Sequence, residues 1–153
     1  MDHVEYAYTC AMDADAIEER LHASETGVLS LSRDNDAYAI PLAHYYDDEA
    51  LYFRFGLTET NTKREFLETT ETACYVLYDT ELTDDPDGME SWSVHITGRL
   101  VTLPQSEYGL VDTAEINRRF SPIRVFDEAI EDIEIAIVKL EIDTMNGRAT
   151  TPD

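Results

Sequence analysis

Basic side chains are scarce in this 153-residue chain, yet three of its 11 lysines and arginines, Arg54, Lys63 and Arg64, fall within 11 consecutive positions. An even spread would put about 0.8 there, so the clustering points to an anion. Arg54 is expected on the opposite strand face from Phe53 and Phe55. Lys63 follows Thr62 in the opening turn of a helix, where backbone N–H groups lack intrahelical partners. A guanidinium, an ammonium, a hydroxyl and a helix N-terminus converging from strand, loop and helix would cradle a phosphate. The same cations could instead pair with nearby carboxylates such as Glu59 or Glu65, and the residues alone leave the two readings even. A second basic group, Arg118, Arg119 and Arg124, suits either the outer part of a ligand or a bridge between acidic subunits.

Other common chemistries are missing. The chain holds no Gly-x-Gly-x-x-Gly, no Walker-type loop, no Gly-x-Ser-x-Gly and no His-Glu-x-x-His, which removes the Rossmann, P-loop and common hydrolase readings. His3, His22, His44 and His95 have no second His or Cys at ligand spacing, so each reads as a strand or surface histidine and no metal site is expected. The acidic stretch Asp79–Glu90 invites calcium, but Gly88 does not fall at the sixth position of such a loop, leaving a solvated acidic loop. Cys10 and Cys74 form no disulfide framework and read as reduced, buried small hydrophobes.

The charge balance narrows the partners. Asp and Glu total 33 against 11 basic residues, a net charge of −22, which repels nucleic acid and anionic membranes alike. No apolar run approaches the length of a membrane span. The Met1-Asp2-His3-Val4-Glu5 start carries acid where a secretory signal carries base, so a cytoplasmic protein with a single domain over residues 1–153 is expected. Lys63 and Lys139 are the only lysines. Acid excess with lysine nearly absent resembles the proteins of salt-loving archaea, the alternative being an ordinary acidic cytosolic protein.

The elements that must position these residues are legible from periodicity. Residues 13–23 place Ala14, Ile17 and Leu21 at helical spacing behind Asp13 as N-cap. Val28–Arg33, the turn Asp34-Asn35-Asp36 and Ala37–Tyr46 predict a hairpin. A further turn at Asp47-Asp48-Glu49 leads to Leu51–Phe55 as a third consecutive antiparallel strand. Thr62-Lys63-Arg64-Glu65 has the form of a capping box. Thr72–Tyr78 and Ser91–Leu103 read as strands separated by a loop over Asp79–Met89, a helix is expected around Glu107–Phe120, and Ile133–Ile142 reads as a strand covered on both sides. Six strands with helices as lids predict a mainly β fold with helices (α+β), closed or partly closed as an antiparallel barrel.

In this order the elements resemble the pyridoxamine 5′-phosphate oxidase-like, FMN-binding split-barrel family. The resemblance spans nearly the whole chain. It rests on Gly27-Val28-Leu29-Ser30-Leu31-Ser32, Ala39-Ile40-Pro41-Leu42, Tyr45-Tyr46-Asp47-Asp48, Leu51-Tyr52-Phe53-Arg54, Asn61-Thr62-Lys63-Arg64-Glu65-Phe66-Leu67, Ala73-Cys74-Tyr75-Val76, Ser91-Trp92-Ser93-Val94 to Gly98-Arg99-Leu100, and Val138-Lys139-Leu140-Glu141-Ile142-Asp143 with Asn146-Gly147-Arg148. It implies a six-stranded antiparallel split β-barrel of FMN-binding type and a homodimer with a flavin at each end of the interface. The FMN phosphate would fall to Arg54 and Lys63 with Thr62 assisting. The flavin would lie against Ile40, Pro41 and Leu42 and receive groups from the partner's strand at Ser91, Trp92 and Ser93, although Trp92 also reads as a plain core residue.

Two departures from the family pattern stand out. The stretch from Arg54 to Lys63 is about two residues longer than usual, and the C-terminus lacks the Arg-Leu-x-Pro type of ending, which argues against vitamin-B6 chemistry. A bound flavin would supply the redox reaction with a small-molecule substrate, without requiring a catalytic acid or base from the chain. The alternatives are a reductase using a deazaflavin coenzyme, a non-catalytic flavin-binding module or sensor, and a ligand-free barrel serving protein association. Trp92 and Val94, read as an apolar face in need of cover, add a second reason to expect the dimer. Unscreened self-repulsion should lower the melting temperature as potassium chloride is reduced from molar to dilute. An unchanged melting temperature would mark an ordinary acidic protein.

Overall fold

The structure is a computed structural model and describes residues 9–57, 62–82, 89–103 and 134–150. After a two-residue strand β1 (Cys10–Ala11), helix α1 (Ala14–Ala23) starts where expected, with the Asp13 carboxylate accepting from the Ala16 N–H at 2.8 Å. Its apolar stripe buries Ile17 and Leu21. Strands β2 (Thr26–Arg33) and β3 (Asp36–Ala43) form the predicted hairpin. Asp34 and Asn35 both take positive φ, 48° and 70°, the left-handed backbone that a two-residue hairpin turn requires and that Asp and Asn tolerate. A short strand β4 (Tyr45–Tyr46) follows, then β5 (Ala50–Leu57), helix α2 (Thr62–Thr69), β6 (Ala73–Leu82), β7 (Met89–Thr102) and β8 (Glu134–Ala149).

All eight described strands join one sheet in the order β3-β2-β6-β7-β8-β5-β4, with β1 paired to β8. Six are at least eight residues long, matching the predicted six, and all the pairings are antiparallel. The two ends of the path, β3 and β4, are consecutive in the chain and separated only by His44, so the sheet closes on itself there. His44 is 1% exposed. Its backbone N–H donates to Glu25 O (3.0 Å), its Nε2 donates to Leu21 O (3.0 Å), and its Nδ1 lies 2.8 Å from the Tyr75 hydroxyl, whose single hydrogen serves either that nitrogen or Leu42 O (3.0 Å). The interior around Tyr75 is filled by Leu29, Leu51, Phe53, Phe55, Leu77, Val94, Ile96, Val138 and Leu140, all 1% exposed or less.

Four expectations are corrected. Leu51–Phe55 does follow antiparallel across the predicted turn, with Tyr46↔Leu51 and Tyr45↔Tyr52, but it does not pair along the β2–β3 hairpin: the whole of β5 pairs with β8, about 85 positions further along the chain. The loop over Asp79–Met89 is shorter than expected: an unbroken ladder from Ala73↔Gly98 to Leu82↔Met89 carries Asp79 and Glu81 into strand as exposed edge-facing acids. Val94 is buried within its own barrel, so it offers no face for a second copy. Cys10 is exposed and Cys74 half-buried, and both thiols are free. β8 behaves as predicted, with Val138 in the interior and Ile137 buried on the outside. The helix expected around Glu107–Phe120, with Arg118, Arg119 and Arg124, lies outside the described residues. No helix among the described residues is long and apolar enough to cross a membrane.

Gly27 faces Tyr75 across the barrel wall, and a Cβ there would lie 2.6 Å from Tyr75 Cζ and 2.7 Å from Val76 O. Gly27→Ala should therefore displace the ring that holds His44 and destabilise the fold by about 1–3 kcal/mol, read as a lower denaturation midpoint in molar salt.

Candidate functional site

Strand alternation on β5 sends Phe53 and Phe55 into the interior and leaves Tyr52 and Arg54 on the outer face. Arg54 is half-buried opposite Ile137 of β8, beside a second apolar cluster of Ala43, Ala50, Tyr52 and Ile137. It makes no ion pair with any described residue. Glu65, a rival partner, is held by Arg33 Nη1 at 2.6 Å rather than folding back on the helix start; Glu59 lies outside the described residues. Arg64, third of the basic cluster, has contacts of its own. The remaining two, Arg54 and Lys63, are separated by the end of β5 at Leu57 and the start of α2 at Thr62, whose first-turn N–H groups lack helical partners.

The electrostatics beside Arg54 are set by the turn before β5. The Asp47 carboxylate accepts from the backbone N–H of Glu49 (2.9 Å) and Ala50 (2.8 Å) and from the Tyr52 hydroxyl (3.0 Å). Burial by itself would raise the carboxyl's pKa, but these donors and the Lys139 charge outweigh it and hold Asp47 below the usual carboxylate range. Burial and the same hydrogen bond push Tyr52 up to about 12. Arg54 has no carboxylate partner among the described residues.

The other predicted residues divide by strand face. On β3, Ile40 and Leu42 point toward the interior, while Pro41 is exposed on the outer face. Closure at His44 brings β3 beside β5, so this stretch and Arg54 occupy neighbouring strands. On β7, Trp92 is half-buried, packed against the interior cluster on one side with the Arg20 guanidinium 4.8 Å above its ring. Ser91 and Ser93 alternate outward and line a cleft of about 310 Å³ with Val76, Tyr78 and Arg148. Arg54 pairs with Ile137 of β8, whereas Ser93 pairs with Arg148 much further along the same strand, roughly 36 Å at the usual rise per residue, so a single chain does not bring Ser91–Ser93 to Arg54.

Sequence reasoning missed Arg20 and Arg148 here. Arg20 is one of three cations from Glu18 to Arg33 even when His22 is counted, a signal too diffuse to use, and Arg148 belongs to the site only through the Ser93↔Arg148 register. Arg148 is fixed by donating from Nη2 to Thr9 O (2.6 Å) and from Nε to Thr9 Oγ1 (2.9 Å).

Residues 13–149 match the sequence pattern of the family described as pyridoxamine 5′-phosphate oxidase. The chain belongs to the pyridoxamine 5′-phosphate oxidase family. Solved structures agree on the fold of this family member, a split barrel. A FAD-binding protein from Mesorhizobium loti superposes with a TM-score of 0.74 at 19% identity, over 94% of this chain and 99% of that one. A Bacteroides thetaiotaomicron protein, provisionally named for 5-nitroimidazole antibiotic resistance, gives 0.72 at 18% identity over 92% and 87%. The FAD-binding protein from Mycobacterium smegmatis gives 0.60 at 16% over 91% and 95%. No curated protein matches in sequence.

Because the pKa of Asp47 is lower in the folded chain than its unfolded value of about 3.8, its contribution is complete above that value and disappears as pH falls through the folded one. Asp47→Asn should therefore lower the melting temperature at pH 7, and the difference from wild type should shrink in melts taken progressively below about pH 4.

Proposed function

We propose that this family member is an FMN-dependent oxidoreductase acting on a small-molecule substrate as a homodimer. The observation that carries the reading is Arg54: in a chain with 33 acids and 11 basic residues, it stands half-buried with no carboxylate partner among the described residues, on the strand that leads into α2. An unneutralised guanidinium ahead of a helix N-terminus suits a phosphate monoester, so Arg54 would take its oxygens with the start of α2 at Thr62 and Lys63. Ile40, Pro41 and Leu42 would flank the ring along β3, and Ser91, Trp92 and Ser93 would meet it from a second copy, since within one chain they lie too far from Arg54. The flavin, when bound, supplies electron transfer; the chain holds the phosphate, orients the ring and excludes water.

The dimer rests on the outward face. Pro41, Val28, Val76, His95 and Asn146 form one row across five strands, with Tyr78, 67% exposed, in the next row beside Ser93. Light scattering in molar salt should give two chains, and Tyr78→Asp should shift the particle toward one.

The names of the two FAD-binding neighbours favour a second reading in which the ligand is the dinucleotide. The mass of flavin released from the purified protein distinguishes FMN, FAD and a deazaflavin. A yellow protein without turnover of reduced nicotinamide would be a binding module. Arg54→Ala or Lys63→Ala should weaken FMN roughly ten- to a hundredfold, far more than Arg118→Ala, while riboflavin, lacking the phosphate, should bind wild type and variants alike. Unchanged FMN affinity in both variants would remove the phosphate site.

A further inference from the structure

Away from the flavin reading, one side-chain cluster joins helix α1 to the β4–β5 turn. Glu18 and His22 lie one helical turn apart on the same face, and Asp48 reaches them from the turn. His22 Nε2 stands 2.6 Å from Asp48 Oδ1 and 3.9 Å from Glu18 Oε2, and one ligand atom from each of the three falls within 4.8 Å of the others. Two ligands about 2.1 Å from a shared ion are roughly 3 to 3.5 Å apart, so side-chain rotations that move the carboxylates by about 1 Å close the set. His22 and Asp48 are free to make it, with side chains 51% and 71% exposed.

The cluster contains more than a surface ion pair needs. The Tyr46 hydroxyl donates to Glu18 Oε1 at 2.6 Å, leaving Oε2 turned toward His22. The ring of Tyr46 lies 5.1 Å from that of His22. Tyr46 is itself buried, and burial followed by the bond to Glu18 keeps its hydroxyl protonated well above the usual tyrosine range. A hydrogen-bond donor fixed behind a carboxylate is what orients a metal ligand from outside the coordination sphere.

We propose that Glu18, His22 and Asp48 bind a divalent transition-metal ion of the zinc class. One imidazole nitrogen and two carboxylate oxygens suit such an ion, whereas calcium and magnesium favour oxygen donors alone. Binding removes any proton from His22 Nε2 and leaves a fourth position open to water, because the cluster faces solvent. The ion would tie α1 to the turn that precedes β5.

The test is calorimetric titration of zinc chloride into untagged, chelator-dialysed protein in molar potassium chloride, with magnesium chloride as control. One zinc per chain is expected. His22→Ala and Asp48→Asn should each weaken it by at least about tenfold, Tyr46→Phe should weaken it less, and His95→Ala should leave it unchanged. Zinc should raise the melting temperature of wild type but not of His22→Ala, whose folding is checked by its own melt in chelator. The proposal falls if zinc does not bind, if His22→Ala and Asp48→Asn both bind it as wild type does, or if magnesium binds equally well. Flavin content has no bearing on any of these readouts.

Discussion

A strand that must turn a corner inside a barrel exposes its backbone to the apolar interior, and here the whole closure falls on one residue. β3 and β4 occupy opposite ends of the sheet path yet are separated only by His44. A polar residue is buried there because three neighbours satisfy it: Glu25 and Leu21 through their carbonyls and Tyr75 through its hydroxyl. Any of those bonds left unmade in the interior would cost more than the bond contributes when formed. Tyr75 in turn needs the missing Cβ of Gly27, and its ring packs edge-on to Phe53 at 4.8 Å. The position of Arg54, one residue beyond Phe53, follows from that contact.

Charge organises the outside as burial organises the inside. With 33 acids to 11 basic residues, each cation has an abundance of possible partners, and several are engaged: Arg33 with Glu65, Arg20 over Trp92, Arg148 on Thr9, and Lys139 acting on Asp47. Among the described residues Arg54 is left over because its outer-face surroundings are the apolar cluster with Tyr52 and Ile137, and Lys139, two positions along β8 from Ile137, carries the same sign of charge. Among the described residues it has no carboxylate to compensate it, and a half-buried charge without compensation is a condition that proteins ordinarily avoid.

Parts of the site were legible and parts were not, for separable reasons. The alternation Leu51, Phe53, Phe55 against Tyr52, Arg54 was readable because a strand with one buried face repeats every second residue. Val94 was read as an apolar face for a second copy, since a periodic pattern shows which residues share a face and not what covers it. His22 reads from sequence as an isolated surface histidine because only Glu18 stands at helical spacing from it, while Asp48 is 26 positions away and arrives only through the packing of α1 against the turn.

The sequence by itself determined the local elements: the Asp13 cap, the Asp34-Asn35 turn, the amphipathic stripe of Ile17 and Leu21, and the doubly covered run in β8. Each depends on backbone preference or on periodicity within a few residues. Only the tertiary structure decided that β5 pairs with β8 and that Asp79–Leu82 is strand despite its acids, because ladder hydrogen bonds from a distant partner outweigh local propensity. It also decided that His44 is buried and that Arg54 has no described partner. Those properties belong to the surroundings of a side chain, and the surroundings are assembled from segments far apart in the chain.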